Sequence, residues 1–373
     1  MKRAMLVKFF MFALALMGIV SCQKEHTSIN TANNEEANLK IEAERALNNQ
    51  KKEVESFAKQ FEGPLAANNE ANRRSSTIVD IAVKLPFFKS LVAAVVKTGL
   101  APTLASPSLN ATVFAPTDAA FAKLPAPFNN ADNISAISDA GTIDLLKSIL
   151  LYHVLGTEVK RSDVSNGRSS AQTLKASGTA NDNTIYLSKQ YGLLSVNGNA
   201  FVLLADVNAS NGVIHVINNV LKFPGNNIAE IAIANPAFST LVAALVKTNL
   251  AGVFTGSGDF TVFAPTNDAF SKLPAPFNST ASINGIQDQA QIDALANILK
   301  YHVIASRYFT VDLGFFNSIT TLADPPSNKL KGLFGFNTGY VKGISNGSFS
   351  RIDPGNILAT NGVVHVIDKV LLP

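Results

Sequence analysis

Thr112 to Asn129 reads TVFAPTDAAFAKLPAPFN, and Thr261 to Asn278 reads TVFAPTNDAFSKLPAPFN: two stretches 149 residues apart that agree at 15 of 18 positions. In the first, Val113 and Phe114 sit in an apolar run, while Phe121 and Leu124 follow at helical spacing. The apolar face therefore changes at Pro116, whose ring fixes φ, and a strand turns into a helix there. Thr117 and Thr266 follow that proline and precede DAAF and NDAF, so each hydroxyl is placed to cap the helix that begins. Apolar residues at matching spacing build a core, and the segment reads as a corner of one.

The match extends in both directions. TIVDIAVKLPFFKSLVAAVVKTGLA (Thr77 to Ala101) is answered by NIAEIAIANPAFSTLVAALVKTNLA (Asn227 to Ala251). ILLYHVL (Ile149 to Leu155) is answered by ILKYHVI (Ile298 to Ile304), and NGVIHVINNVL (Asn211 to Leu221) by NGVVHVIDKVL (Asn361 to Leu371), with 8 of 11 positions identical. A period near 150 residues is too long for a solenoid and describes tandem globular domains, here 76–224 and 225–373, meeting at Pro224-Gly225. Within a copy, Phe87–Thr98, Thr142–Tyr152 and their partners Phe238–Thr248 and Ile292–Tyr301 carry helical spacing. Thr184–Ser188, Leu193–Val196, Phe201–Val207 and Val213–Leu221 read as strands, with Asn197-Gly198 as a hairpin turn. Helices first and strands last argue for α+β rather than a βαβ succession.

Composition bounds the function. The chain has 373 residues, 47% hydrophobic and 16% charged, with one Cys, no Trp and a net charge of +4. It is rich enough in apolar residues to fold, and a single cysteine excludes a disulfide scaffold. Lys2, Arg3 and Lys8 carry three of the positive charges, so the rest of the chain stands at +1 and lacks the dense footprint that nucleic acid requires. MKR followed by FFMFALALMGIV is a secretory leader, too short to span a bilayer. Residues 1–22 are read as a lipoprotein signal peptide, because Ile19-Val20-Ser21-Cys22 resembles the bacterial lipobox and makes Cys22 the acylated anchor. Gln23-Lys24-Glu25 in place of an Asp resembles sorting to the outer membrane, facing the periplasm or the cell surface. Residues 23–75 hold 8 Lys/Arg and 9 Asp/Glu and read as a charged, solvated tether. Leu39, Ala43, Leu47, Val54, Phe57 and Phe61 mark a helix near 37–62 within it, a spacer or a short dimerising coiled coil.

TVFAPTxxAFxKLP, then YHV, then NGVxHVIxxVL, in fixed order and twice over, resembles the fasciclin domain across about residues 76–373. The resemblance implies a wedge of about seven β-strands packed with several helices. It also implies a chiefly non-enzymatic, extracellular role in cell adhesion and extracellular-matrix association, without a cofactor. In some animal relatives a Tyr-His segment is associated with integrin binding, which singles out Tyr152, His153, Tyr301 and His302 as partner contacts. A few relatives bind pigments, which makes a carrier of a small hydrophobic ligand the alternative.

The residues themselves offer little chemistry. His153, His215, His302 and His365 lie in apolar stretches with no HxxxH, HxH or carboxylate cluster to complete a metal site, so each is expected buried and bonded to backbone or to an Asx side chain. There is no GxSxG elbow or phosphate loop, and Asp118 aligns with Asn267, so an acid there is not common to both copies. Tyr191 and Tyr340 fall near turns and are the candidates for stacking on a sugar. The expected protein is a lipid-anchored cell-envelope adhesion protein that binds polysaccharide or protein partners of the surface or matrix, touches the membrane through its anchor, and is not an enzyme.

Overall fold

The computed structural model describes residues 34–61, 75–336 and 338–373. The leader, Cys22 and residues 23–33 and 62–74 of the expected tether lie outside these residues. Each copy begins with helices whose first turns are capped locally. Thr77 forms a capping box with Asp80 ahead of Ile78–Lys84, and Asn227 does the same with Glu230 ahead of Ile228–Ala234. Thr117 and Thr266 accept the N–H of Ala120 and Ala269, both at 3.2 Å, as their position after proline foretold.

Seven strands form the sheet of the first domain: β1 (Ala111–Pro116), β2 (Val154–Leu155), β3 (Gly167–Gln172), β4 (Thr184–Gln190), β5 (Leu193–Val196), β6 (Ala200–Ala209) and β7 (Gly212–Ile217), in the order β2-β1-β7-β6-β5-β4-β3. Eight form the second: β8 (Phe260–Pro265), β9 (Val303–Ile304), β10 (Phe315–Thr320), β11 (Lys329–Leu333), β12 (Gly339–Gly343), β13 (Ser350–Ile352), β14 (Ile357–Ala359) and β15 (Gly362–Ile367). The extra strand has a simple origin. Strand β6 is one bulged element with two register shifts, whereas its counterpart is interrupted near Pro354, which has no N–H to donate, leaving β13 and β14.

In both domains the early strand pairs in parallel with the last, Thr112 opposite Val213 and Thr261 opposite Val363. Alternation along β1 then divides the interior. Val113 and Ala115 face the helices with Phe88, Phe121 and Leu146, while Phe114 faces the curled strands with Leu187, Val196 and Ile217. The second domain repeats this with Val262 and Ala264 on one face and Phe263 on the other. Two apolar layers on a continuous sheet are the reason that β1 and β7 are buried along their whole length.

The domains are fastened to each other by reciprocal stacking. Arg168 of the first lies over the Tyr308 ring of the second at 3.7 Å, and Arg307 of the second lies over the Tyr186 ring of the first at 4.1 Å. Arg168 also donates to Arg307 O at 2.6 Å and Gln190 to Asp312 Oδ1 at 2.8 Å. The Asn197-Gly198 turn, with both φ values positive, is the expected hairpin. Its glycine abuts Phe309, leaving no room there for a Cβ.

Residues 34–61 form one helix, close to the expected 37–62. It is not a free spacer. Ala43 and Leu47 are buried with Phe201 of the first domain and Phe309, Phe334 and Val363 of the second, in an apolar cluster with Leu39 and Val54 packed against it. Phe57 and Phe61 pack on Phe87, with ring centroids 5.3 and 4.1 Å away. Glu36 pairs with Lys331 at 3.0 Å, and Glu42 accepts from Tyr340 Oη. The reading of this segment as solvated tether is thus corrected: its six apolar residues share one face, and that face has a surface to bury against.

Gly212 sits at φ +142, where a Cβ would lie inside van der Waals contact of Ala111 O on the paired strand. Gly212→Ala is expected to lower unfolding free energy by at least about 2 kcal/mol, whereas Gly225→Ala, in open space, should change it by less than about 0.5 kcal/mol. Equal effects in chemical denaturation would contradict the strand approach described.

Candidate functional site

The repeated motif residues come first, because they are the obvious candidates. Asn211 accepts the N–H of Ile78 at 2.9 Å and donates to Leu104 O and Ser106 O, both at 2.9 Å. Asn361 repeats the clamp on Ile228, Phe254 and Gly256. Thr112 Oγ1 donates to Thr157 O at 2.8 Å and accepts from Val159 N at 2.7 Å, and Thr261 does the same with Ser306 and Tyr308. Lys123 and Lys272 reach across to Asn218 O and Asp368 O, both at 2.9 Å. Each motif side chain ties backbone that is distant in sequence.

The histidines complete this set in two tautomers. His153 Nδ1–H donates to Ile149 O at 2.7 Å and Nε2 accepts from Leu221 N at 2.8 Å, with His302 matching it on Ile298 and Leu371. His215 and His365 are reversed: Nδ1 accepts from Asp206 N and Asn356 N, and Nε2–H donates to Val159 O and Tyr308 O. A backbone N–H donor leaves its imidazole acceptor no choice of tautomer. Burial pushes His153, His302 and His365 down to about 4, and His215 downward as well. These rings are neutral struts, with both nitrogens engaged by backbone.

Tyr152 and Tyr301 are 0% exposed and His153 and His302 2% exposed. Tyr152 Oη donates to Thr184 O at 2.7 Å and accepts from Asn197 Nδ2, and Tyr301 Oη bonds to Lys329 O and Ile344 N. Burial raises the Tyr152 hydroxyl well above its usual range. The expectation that the Tyr-His dipeptides touch a partner is corrected. Adjacent residues at a helix end point to the two sides of the sheet, so tyrosine fills one layer and histidine pins the other.

What the surface does present is an apolar cleft, made twice. In the first domain the helices Ile78–Lys84 and Lys89–Lys97 part over Phe114 and His153, enclosing about 70 Å³. In the second, Ile228–Ala234 and Ser239–Lys247 part over Phe263 and His302, enclosing about 90 Å³. The lips are Val83 and Val96, exposed at 62% and 66%, and at the same places 150 residues on Ile233 and Val246, at 71% and 67%. Each lip residue occupies the solvent side of a helix whose other face is core, where a polar residue would cost nothing.

A model of the fasciclin domain matches residues 86–224 and 236–373. The chain belongs to the fasciclin domain family. It is 30% identical over 267 residues to the transforming growth factor-beta-induced protein ig-h3 of Sus scrofa, covering 70% of this chain and 34% of that protein, so it spans about a third of that relative's length. The Synechocystis protein sll1735 is 37% identical over 146 residues, 39% of this chain and 97% of its own. Among solved structures, a FAS1 domain pair from the insect cell adhesion molecule fasciclin I covers 76% of this chain and 96% of its own, at 18% identity and a TM-score of 0.36.

The remaining candidates of this fasciclin pair fall at the junction of its domains. Tyr191 is half-buried against Phe315 and Phe334, with centroids 5.4 and 5.3 Å away, and Tyr340 is half-buried beneath Glu42 of the helix 34–61. Asp118 accepts from Ser90 N at 2.7 Å and Asn267 from Thr240 N at 2.9 Å. Both cap a neighbouring helix, so an amide serves as well as an acid. Among the described residues no three His, Cys, Asp or Glu side chains gather to hold a metal ion. The sequence allowed for an apolar cleft but did not locate it, although the signal was there in apolar residues 83, 96, 233 and 246, which break the polar faces of otherwise amphipathic helices.

The imidazole struts set an acid limit. Above pH 6.5 the rings are neutral whether the chain is folded or not. Below it the unfolded chain takes up protons that the folded domains refuse until pH approaches 4, so stability falls across that window by about 1.4 kcal/mol per pH unit for each fully buried ring. Thermal unfolding from pH 7.5 to 4.5 should show this decline, and a flat profile would remove the neutral-strut assignment.

Proposed function

We propose that this protein is a cell-envelope interaction protein of the adhesion type, lipid-anchored through Cys22, whose two fasciclin domains grip a protein partner through the duplicated apolar clefts. The observation that carries the reading is the recurrence of exposed aliphatic lips at Val83, Val96, Ile233 and Val246. Tandem clefts on domains fastened to each other allow two weak contacts to act together, since engagement of one raises the effective concentration of the other. The leader and lipobox sequence support the anchor, and membership of the fasciclin domain family, whose resemblance implies adhesion, supports an interaction role.

Size separates the two kinds of occupant. Volumes of about 70 and 90 Å³ fall below the ~150 Å³ cavity that takes up benzene, so each cleft suits an aliphatic side chain inserted from a partner. A second reading, carriage of a small apolar ligand, is favoured in the second domain alone. There an adjoining depression of about 270 Å³ shares Leu245, Phe254, Leu299 and Val303 with the cleft and extends it past Leu322. Organic extraction of purified protein followed by mass spectrometry distinguishes the readings, for carriage requires a stoichiometric apolar compound.

Val96→Asp together with Val246→Asp is expected to abolish retention of envelope proteins on the immobilised chain while shifting unfolding free energy by less than about 1 kcal/mol, because both side chains are largely exposed. Undiminished retention would rule the clefts out. Cys22→Ala should move the protein from the membrane fraction to the soluble one, and continued membrane association would refute the anchor.

A further inference from the structure

Beside the seam between the domains, away from the clefts, Arg161, Arg168, Lys189 and Tyr191 line an open depression of about 590 Å³ with the backbone of Gly167 and Gly192. Three cations converge here, and among the described residues none of them pairs with a carboxylate. Each is instead fixed by carbonyl oxygens. Arg161 Nη2 donates to Gly192 O at 2.5 Å, Lys189 Nζ to Arg161 O and Val164 O, both at 2.9 Å, and Arg168 Nη1 to Arg307 O while its guanidinium rests on the Tyr308 ring. Carbonyls hold a cation in place without cancelling its charge. The ordering entropy of long side chains is therefore largely met before a ligand arrives, and no direct ion pair among the described residues takes up these positive charges, although the Asp312 carboxylate acts on Arg168 from within the seam and Asp206 accepts the backbone N–H of Arg161.

The geometry points to a binding site for an acidic polysaccharide, in which Arg161, Arg168 and Lys189 take the carboxylate groups of uronate units and Tyr191 forms the wall against a sugar ring. A guanidinium binds a carboxylate through paired N–H donors, and a tyrosine offers an apolar face beside a hydroxyl, which is the mixed character of a sugar. This deepens the interaction role proposed above by adding a second class of partner at a separate place, and it has its own test. Because Arg168 and Tyr191 also belong to the seam, the site is complete only when the two domains are docked as described.

The test is titration calorimetry of the full chain with oligogalacturonate, with a neutral dextran oligosaccharide for comparison. Wild type is expected to bind the uronate, more weakly as salt rises, and not to bind dextran. Arg161→Gln with Lys189→Gln should weaken binding by at least about tenfold. Lys147→Glu, on an exposed position outside the depression, changes net charge by the same two units and should leave binding unaltered. Should the double variant fail to fold, Arg161→Gln alone carries the test, since that side chain makes one bond to Gly192, and a loss of at least about threefold is expected. Absence of uronate binding by wild type, equal weakening by Lys147→Glu, or equal uptake of dextran would each overturn the assignment. Any of these results leaves retention of protein partners through the clefts to be judged on its own variants.

Discussion

The parallel pairing of the first strand of each domain with its last is the constraint on which the rest depends. Strands β1 and β7 lie far apart in the sequence, with every other strand of the domain between them, and the curl of the sheet follows from bringing them side by side. Closing so long a loop is entropically unfavourable, and the residues that hold it are the ones repeated between the copies. Asn211 reaches from the turn before β7 to the first helix, Gly212 allows the backbones to approach, and His153 holds the chain just beyond β7. Their counterparts Asn361, Gly362 and His302 act alike. A buried polar group is costly when unpaired and specific when paired, so these side chains select one closure over others.

This explains how much could be read from the sequence. Duplication, fold class, the helical corner at Pro116 and the hairpin at Asn197-Gly198 were legible, because each rests on local spacing or on a backbone conformation peculiar to Gly and Asn. The role of the histidines as bonded, buried residues was legible too, since an imidazole within an apolar run has few other ways to be satisfied. Strand β3, GRSSAQ, left no trace in the pattern: it is a polar edge strand with alternate residues in solvent. The parallel pairing was also invisible, being a contact across about 100 residues with no local signature. The Tyr-His dipeptide misled because resemblance to animal relatives transfers a motif without its exposure.

The two kinds of surface, clefts and basic depression, differ in their relation to the repeat. The clefts repeat at the same place in each domain and need nothing from the other copy. The basic depression occurs on the first domain alone, its Arg161 matched by Thr310 in the second, and it leans on the seam. Duplication gave two equivalent clefts, and divergence at the junction gave one basic depression of different chemistry.

The helix 34–61 carries a mechanical consequence. Its early residues bond to the second domain, at Lys331, Tyr340 and Phe349, while its late residues pack on Phe87 of the first. Tension entering the chain at residue 34 thus meets the C-terminal domain before the N-terminal one, the reverse of their sequence order. Because the same helix packs on both domains, it bridges their seam, and its contacts with the second domain are the first to carry that load.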